Sequence, residues 1–331
     1  NFINWYIFFP VKILITGCCG FIGFNFTNFL TKSNKKAKIV GIDNLNNYYS
    51  VGLKRKRLKI LLKHKNFNFF KLDLGNYKKL NKIFNKNKFD YIYHLAAQAG
   101  VRYSVTHPSV YINSNINGFF NLIEISRNKK VKNFFYASSS SVYGDSKVFP
   151  LNEKDMVLPK NIYGLTKKCN EELAEIYSNF YNMKFVGLRF FTVYGEWGRP
   201  DMMILKYIEA SIKKKIFFLN NYGNHTRDFT YIGDVIKMMQ KLMYLVNKKN
   251  HEIFNICSNR PIKLSKVVNL LNRLTSVPKI KKVAFQKADV LKTHGSNKKI
   301  KKRLKLKEFT KIEKGLSNTF AWYKNYLRGQ L

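Results

Sequence analysis

Short apolar runs alternate with longer amphipathic stretches through the first 190 residues of this chain. The runs at 11–16, 38–42, 67–72, 91–95, 134–137 and 185–190 read as buried strands of a parallel sheet. Helical apolar spacing marks 21–30, 53–62, 77–84 and 110–125, and a long helical pattern covers 161–181. Strand and helix alternating in this way predict an α/β fold of Rossmann type, a doubly wound parallel sheet. After residue 192 the alternation loosens. There 202–212, 235–245, 263–274 and 309–326 look helical, and 253–256 looks like a strand.

This pattern divides the chain into a nucleotide-binding domain at 11–191 and a smaller C-terminal substrate-binding lobe at 192–331. Some segments of the lobe are expected to return to the first domain. Residues 1–10 are apolar and aromatic, too short to span a bilayer. They have no basic leader, no cleavage site and no initiator Met, so they are expected to be an extension before a fold that begins near Val11.

Composition changes the picture in two ways. The chain has 331 residues, 45% of them hydrophobic, enough to bury a sizeable core. Its formal net charge is +41, from 60 Lys+Arg against 19 Asp+Glu. The excess is mostly lysine, spread along the chain and accompanied by Asn, Ile, Phe and Tyr, the residues of AT-rich codons. Drift in genome composition accounts for that pattern, so no nucleic-acid or membrane partner is expected. The diffuse positive field attracts anionic substrates. Arginine is scarce beside lysine, which singles out Arg102, Arg189, Arg199, Arg227 and Arg260 as candidate grips on phosphate or carboxylate. The four cysteines show no metal spacing and no disulfide framework, so no metal and a reduced, cytoplasmic setting are expected.

Three motifs carry candidate chemistry. Gly17, Gly20 and Gly23 follow the first strand. They suit a tight turn, close approach to a pyrophosphate and close helix packing, with the helix from Phe21 aimed at the phosphates. Asp43 ends the second strand, where a carboxylate accepts from a ribose 2′-hydroxyl and repels a 2′-phosphate. That favours NAD over NADP. Tyr163 and Lys167 stand at i and i+4, on one helix face. The ammonium and a cationic nicotinamide are expected to lower the phenol pKa, making Tyr163 an acid/base. Ser138–Ser141 follow a strand that should end at the ligand-binding edge of the sheet.

With these motifs in order, the chain resembles the extended short-chain dehydrogenase/reductase superfamily. Within it, it resembles the nucleotide-sugar epimerases, and among those the UDP-glucuronate 4-epimerases. The most specific stretches are 43–49 (DNLNNYY), 94–102 (HLAAQAGVR), 188–195 (LRFFTVYG), 197–202 (WGRPDM) and 223–229 (GNHTRDF). The resemblance implies Tyr163, Lys167 and Ser139 as the catalytic group. It implies a cofactor site of Gly17, Gly20, Phe21, Ile22, Gly23, Asp43, Asn44, Asp73, Leu74, Ala96, Ala97 and Lys167. It implies a UDP-sugar site of Arg102, Ser139, Ser140, Ser141, Thr192, Arg199, Arg227 and Asp289.

The implied reaction is redox-neutral inversion at C4 through a 4-keto sugar, with NAD retained, and the implied assembly is a homodimer. The residue before Val142-Tyr143-Gly144 is Ser141, where related dehydratases and decarboxylases carry a carboxyl group, so elimination is disfavoured. The rivals are a UDP-glucose 4-epimerase, a decarboxylase and a non-catalytic NAD-binding module. The chain departs from the resemblance at Cys18-Cys19 in the glycine loop and at Thr293-His294-Gly295-Ser296 after Asp289.

Overall fold

The computed structural model describes residues 10–245 and 249–329, so most of the expected N-terminal extension, residues 1–9, lies outside the described residues. Among the described residues there are twelve strands: β1 Lys12–Thr16, β2 Lys38–Asp43, β3 Phe67–Lys71, β4 Tyr91–His94, β5 Asn133–Ser139, β6 Lys184–Phe190, β7 Thr192–Tyr194, β8 Phe217–Asn220, β9 Thr226–Tyr231, β10 His251–Ile256, β11 Pro261–Lys263 and β12 Ile280–Val283. Seven form one parallel sheet in the order β10-β6-β5-β4-β1-β2-β3.

Successive side chains of β1 serve opposite faces. Ile13 and Ile15 join one apolar core, together with Phe24 and Phe26 of the helix Phe21–Ser33. Leu14 joins the other, with Phe119 and Leu122 of the helix Gly118–Asn128. Both faces are thus covered, which is why the strands are near-continuous in apolar residues rather than alternating. Strand order reverses between β1 and β4, and a crevice opens there at their carboxyl ends.

The sequence-based helix at 110–125 departs from its expected form. It comprises Pro108–Tyr111, a π-helical segment Ile112–Asn117 and Gly118–Asn128. Buried Asn115 lies in the π segment. Its side chain accepts from Gln98 N (2.7 Å) and donates to Gln98 O (3.0 Å) and to Thr166 Oγ1 (3.1 Å). The widened turn ties the loop after β4 to the helix Ile162–Tyr181 beside the crevice.

Beyond β6 the chain builds two small sheets, β11-β9-β7 and β12-β8, against the crevice mouth. β10 returns to the edge of the large sheet beside β6. Among the described residues, no helix is long and apolar enough to cross a membrane.

Candidate active site

The crevice is built by glycines that admit nothing else. Gly17 has φ +69°, and a Cβ there would lie 2.6 Å from Ala96 N. A Cβ on Gly23 would lie 2.0 Å from Gly17 O. The helix Phe21–Ser33 therefore starts flush against the end of β1. Its N-cap, Gly20, supplies no side-chain acceptor, so the first N–H groups stay available to an anion. Asp43 fixes the loop from below, accepting from Cys19 N (3.0 Å) and Leu45 N (2.8 Å). Burial raises its pKa, against the pull of those two hydrogen bonds. Asp73 accepts from Asn44 Nδ2 (2.8 Å) and Gly75 N (2.9 Å). The cleft is lined by Gly17, Gly20, Phe21, Ile22, Gly23, Asp43, Asn44, Asp73, Leu74, Ala96 and Ala97. These are the residues named from the sequence on the cofactor side, and the cradle fits a dinucleotide.

Tyr163, Lys167 and Ser139 line the same cleft. The helix Ile162–Tyr181 begins at Asn161, whose side chain accepts from Gly164 N (2.9 Å). From that start, Tyr163, Thr166, Lys167, Asn170 and Glu171 recur at helical spacing, and the last four are buried. Ser139 Oγ accepts from Ser141 N (3.1 Å), which leaves its proton for the Tyr163 oxygen, with which it is hydrogen-bonded. Of the two charges expected to lower the phenol, the Lys167 ammonium is turned away to Ala137 O, which leaves that task to a cationic nicotinamide. Burial pushes the phenol up, and the Ser139 bond and then the Arg199 charge oppose the rise. The Lys167 ammonium, donating to Ala137 O (2.8 Å), is held against the end of β5.

Burial lowers the Lys167 pKa to about 8, with Glu171 pulling it back up. The sign follows directly. Below pH 8 both folded and unfolded chains carry the ammonium, so the folded state bears the full cost of burying it. That cost fades as pH climbs from 8 towards the ordinary value of 10.5. Lys167→Met should therefore melt higher than the parent at pH 7, and scanning calorimetry should show the gain shrinking above pH 8. A constant gain across that range would contradict the assignment.

Glu171, one turn beyond Lys167, was not singled out by sequence. It accepts from Ser138 Oγ and takes a buried two-pronged grip from Arg189 Nε (2.8 Å) and Nη2 (2.7 Å). Arg189 also donates to the Tyr143 hydroxyl (2.8 Å). Arg189 is thus a strut beneath the serine strand, not a ligand grip. Both side chains of the pair are nearly inaccessible, at 4% and 6% exposure. Glu171→Gln strands the guanidinium charge and should cost about 3–5 kcal/mol in chemical denaturation. A loss under about 1 kcal/mol, the worth of a surface pair, would contradict this.

A second cavity continues outward from the first. It is lined by Thr192, Arg199, Arg102, His225, Arg227 and Asp289 among others. Arg102 grips Asp289 with two hydrogen bonds (3.2 and 2.6 Å). Arg227 donates only to the carbonyls of Thr226, Val290 and Leu291, and burial drops its pKa to about 10. Arg199 borders both cavities and pairs with Asp201 through Nε and Nη2, with Tyr48 beside it. Ser140 and Ser141 sit half-buried in the short 3-10 turn Ser140–Tyr143, outside the lining of either cavity. Arg260 donates to Phe309 O, away from both.

The stretch Thr293–Ser296 serves as a tie. Gly295 N donates to Asp228 (3.1 Å) and Ser296 N to Leu151 O (2.7 Å). Sequence also passed over Arg57, which is wholly buried. It donates to Cys19 O, the Tyr49 hydroxyl, Trp197 O and Gly198 O, joining the glycine loop to the stretch that carries Arg199.

Comparison with known proteins agrees with this geometry. A UDP-glucuronate 4-epimerase of Thermodesulfobacterium geofontis is 38% identical over 314 residues, covering 94% of this chain and 95% of its own. The crystal structure of UDP-glucuronic acid 4-epimerase from Bacillus cereus, in complex with UDP-glucuronic acid and NAD, superimposes with a TM-score of 0.88 at 29% identity. That match covers 95% of this chain and 99% of that one. UDP-glucose 4-epimerase from Thermotoga maritima, with UDP-glucose, superimposes with a TM-score of 0.86 at 27% identity, covering 96% and 99%. The profile of the NAD dependent epimerase/dehydratase family matches residues 13–257, and the chain belongs to that family.

Proposed function

We propose that the protein inverts C4 of a UDP-sugar, UDP-glucuronate to UDP-galacturonate, with NAD held in the β1–β4 crevice. The observation that carries this reading is the pairing of Tyr163 with Ser139 at the floor of a cleft that continues into an arginine-lined cavity. NAD supplies a reversible hydride acceptor at C4. Tyr163 takes the proton of the C4 hydroxyl and later returns it. Ser139 holds that proton's path by hydrogen bonding to the phenol. Lys167 orients a ribose and keeps the floor cationic below pH 8. Arg227 offers a buried cation whose only hydrogen-bond partners among the described residues are carbonyls, an environment suited to a diphosphate. Arg102 and Asp289 close the nucleotide end.

The uronate reading rests on Arg199. Its Nε and Nη2 edge is engaged by Asp201 and Tyr48, and its Nη1 makes no hydrogen bond among the described residues. That nitrogen is the grip for a sugar carboxylate, with Thr192 nearby in the same cavity. The 4-keto uronate is a β-keto acid, and a held carboxylate resists loss of CO2. Arg199→Ala should lower kcat/KM for UDP-glucuronate about 10- to 100-fold, the worth of one charge-assisted hydrogen bond, and raise UDP-pentose by-product. An equal loss with UDP-glucose would favour the neutral-sugar epimerase instead.

Substrate deuterated at C4 tests the hydride route. The label should be retained at C4 of the product, without added NAD. Washout into solvent would refute the mechanism. A homodimer is part of this reading, supported by exposed Leu165, Ile176 and Phe180 on the helix Ile162–Tyr181 and Phe120 on its neighbour. Four unpaired cysteines support a reducing, cytoplasmic setting, and a uronate product suits envelope polysaccharide synthesis.

A further inference from the structure

The glycine loop carries two adjacent thiols that the epimerase chemistry does not use. Cys18 and Cys19 are wholly buried, and their sulfurs lie 3.9 Å apart. Each sulfur and one carboxylate oxygen of Asp43 fall within 4.8 Å of one another. A tetrahedral ion with metal–sulfur bonds of about 2.3 Å holds its sulfurs about 3.8 Å apart, so the thiols already stand at ligand spacing. Backbone order maintains that spacing. Gly17 N donates to Ile42 O (2.7 Å), and Cys19 N donates to Asp43 itself (3.0 Å), so loop and strand end are tied together.

We propose that Cys18, Cys19 and Asp43 form a three-donor site for a thiophilic divalent cation of the Zn²⁺ class, and that this cation and NAD exclude one another. On binding, each thiol releases its proton to solvent as sulfur coordinates, and Asp43 contributes one oxygen. Three negative donors then face a doubly charged ion, and the positive charges of Lys54 and Arg57, which act on Asp43, more than offset the single negative charge that remains. A fourth position is left for water or an exchangeable ligand. Exclusion follows from the double use of Asp43. Its oxygens already accept from Cys19 N and Leu45 N, and the remaining lone pairs serve either the ribose hydroxyls or the metal. The exclusion rests on the cofactor reading above. The metal site does not.

The probe is Cd²⁺ alone, titrated into the full chain freed of NAD, with the ultraviolet thiolate-to-cadmium band as readout. One equivalent per chain is expected to bind, and the C18S/C19S double variant should lose the band. NAD at one hundred times its own Kd should weaken the apparent Cd²⁺ affinity about 100-fold by mass action. Should the double variant fold poorly, alkylation of the parent followed by mass spectrometry gives the same answer. Cd²⁺ should slow the alkylation of Cys18 and Cys19 that follows local opening, and leave the rate at half-buried Cys169 unchanged. No band, or a band surviving in the double variant, overturns the site. An affinity indifferent to bound NAD overturns the exclusion. A band in a chain that never binds NAD supports the site and sinks the cofactor reading, so the two failures are distinguishable.

Discussion

Tyr163→Phe should lower turnover of UDP-glucuronate by about 10²–10⁴-fold while the purified protein still carries NAD. The substitution removes one oxygen from the cleft floor and nothing from the glycine cradle. Its hydrogen-bond partner, Ser139, retains Ser141 N as donor, so the turn should keep its shape. The loss should fall on kcat, with KM moving little, because the phenol acts on the proton in flight and not on the diphosphate. The pH dependence of kcat/KM is a second check. Burial raises the Tyr163 pKa, so the free protein needs alkaline solution or a bound cation to form the phenolate. Below the pKa of Tyr163 activity should rise with pH, and the variant should lose that limb. A variant keeping more than about a tenth of parental kcat would place the acid/base elsewhere.

Gly23→Ala should release the cofactor. An added Cβ would sit 2.0 Å from Gly17 O and 2.8 Å from Gly17 C, both backbone atoms of the loop. Neither can step aside without moving the turn, because a Cβ-sized approach already closes Gly17 against Ala96. Overpacking of this kind costs about 1–3 kcal/mol, and here the strain falls on the phosphate loop. NAD content after purification should drop to a small fraction of the parent's. Gly52→Ala is the control. It lies within the helix Val51–Leu61, where its Cβ would meet only Ser50 Oγ at 3.6 Å, so it should be neutral or slightly stabilising. Retention of NAD by the Gly23 variant would show that the cradle is not where the pyrophosphate lies.

The inner strands of the large sheet were legible because each is a short apolar run closed by a polar or small residue, buried on both faces. β1, β2, β4 and β6 begin and end within a residue of their expected limits. The small sheets were not legible. β7 and β11 are three residues each, too short for any period to register. The break at Ile112–Asn117 left no mark either, because a π-turn disturbs hydrogen bonding, not apolar spacing.

The candidate site divides in the same way. The cofactor cradle was readable because glycine spacing and a strand-end carboxylate state their own geometry. Glu171 was reachable, being four residues beyond Lys167 on the same face. Arg57 was hidden by its neighbours: it stands in Lys54-Arg55-Lys56-Arg57, a run that reads as solvated charge, yet it is wholly buried. Only tertiary packing shows that its guanidinium reaches Trp197 O and Gly198 O across the crevice. The part expected of the Lys167 ammonium in lowering the Tyr163 phenol was misjudged for a related reason. Pairing at i and i+4 indicates a shared face, but it does not reveal that the ammonium is turned to Ala137 O.

The central claim is C4 inversion with a retained cofactor. The most direct test is to incubate the purified chain with UDP-glucuronate, adding no NAD, and to follow the anomeric protons by NMR. The account predicts UDP-galacturonate growing to equilibrium with UDP-glucuronate at constant total sugar. A UDP-pentose as the main product, or an unchanged spectrum, would contradict it.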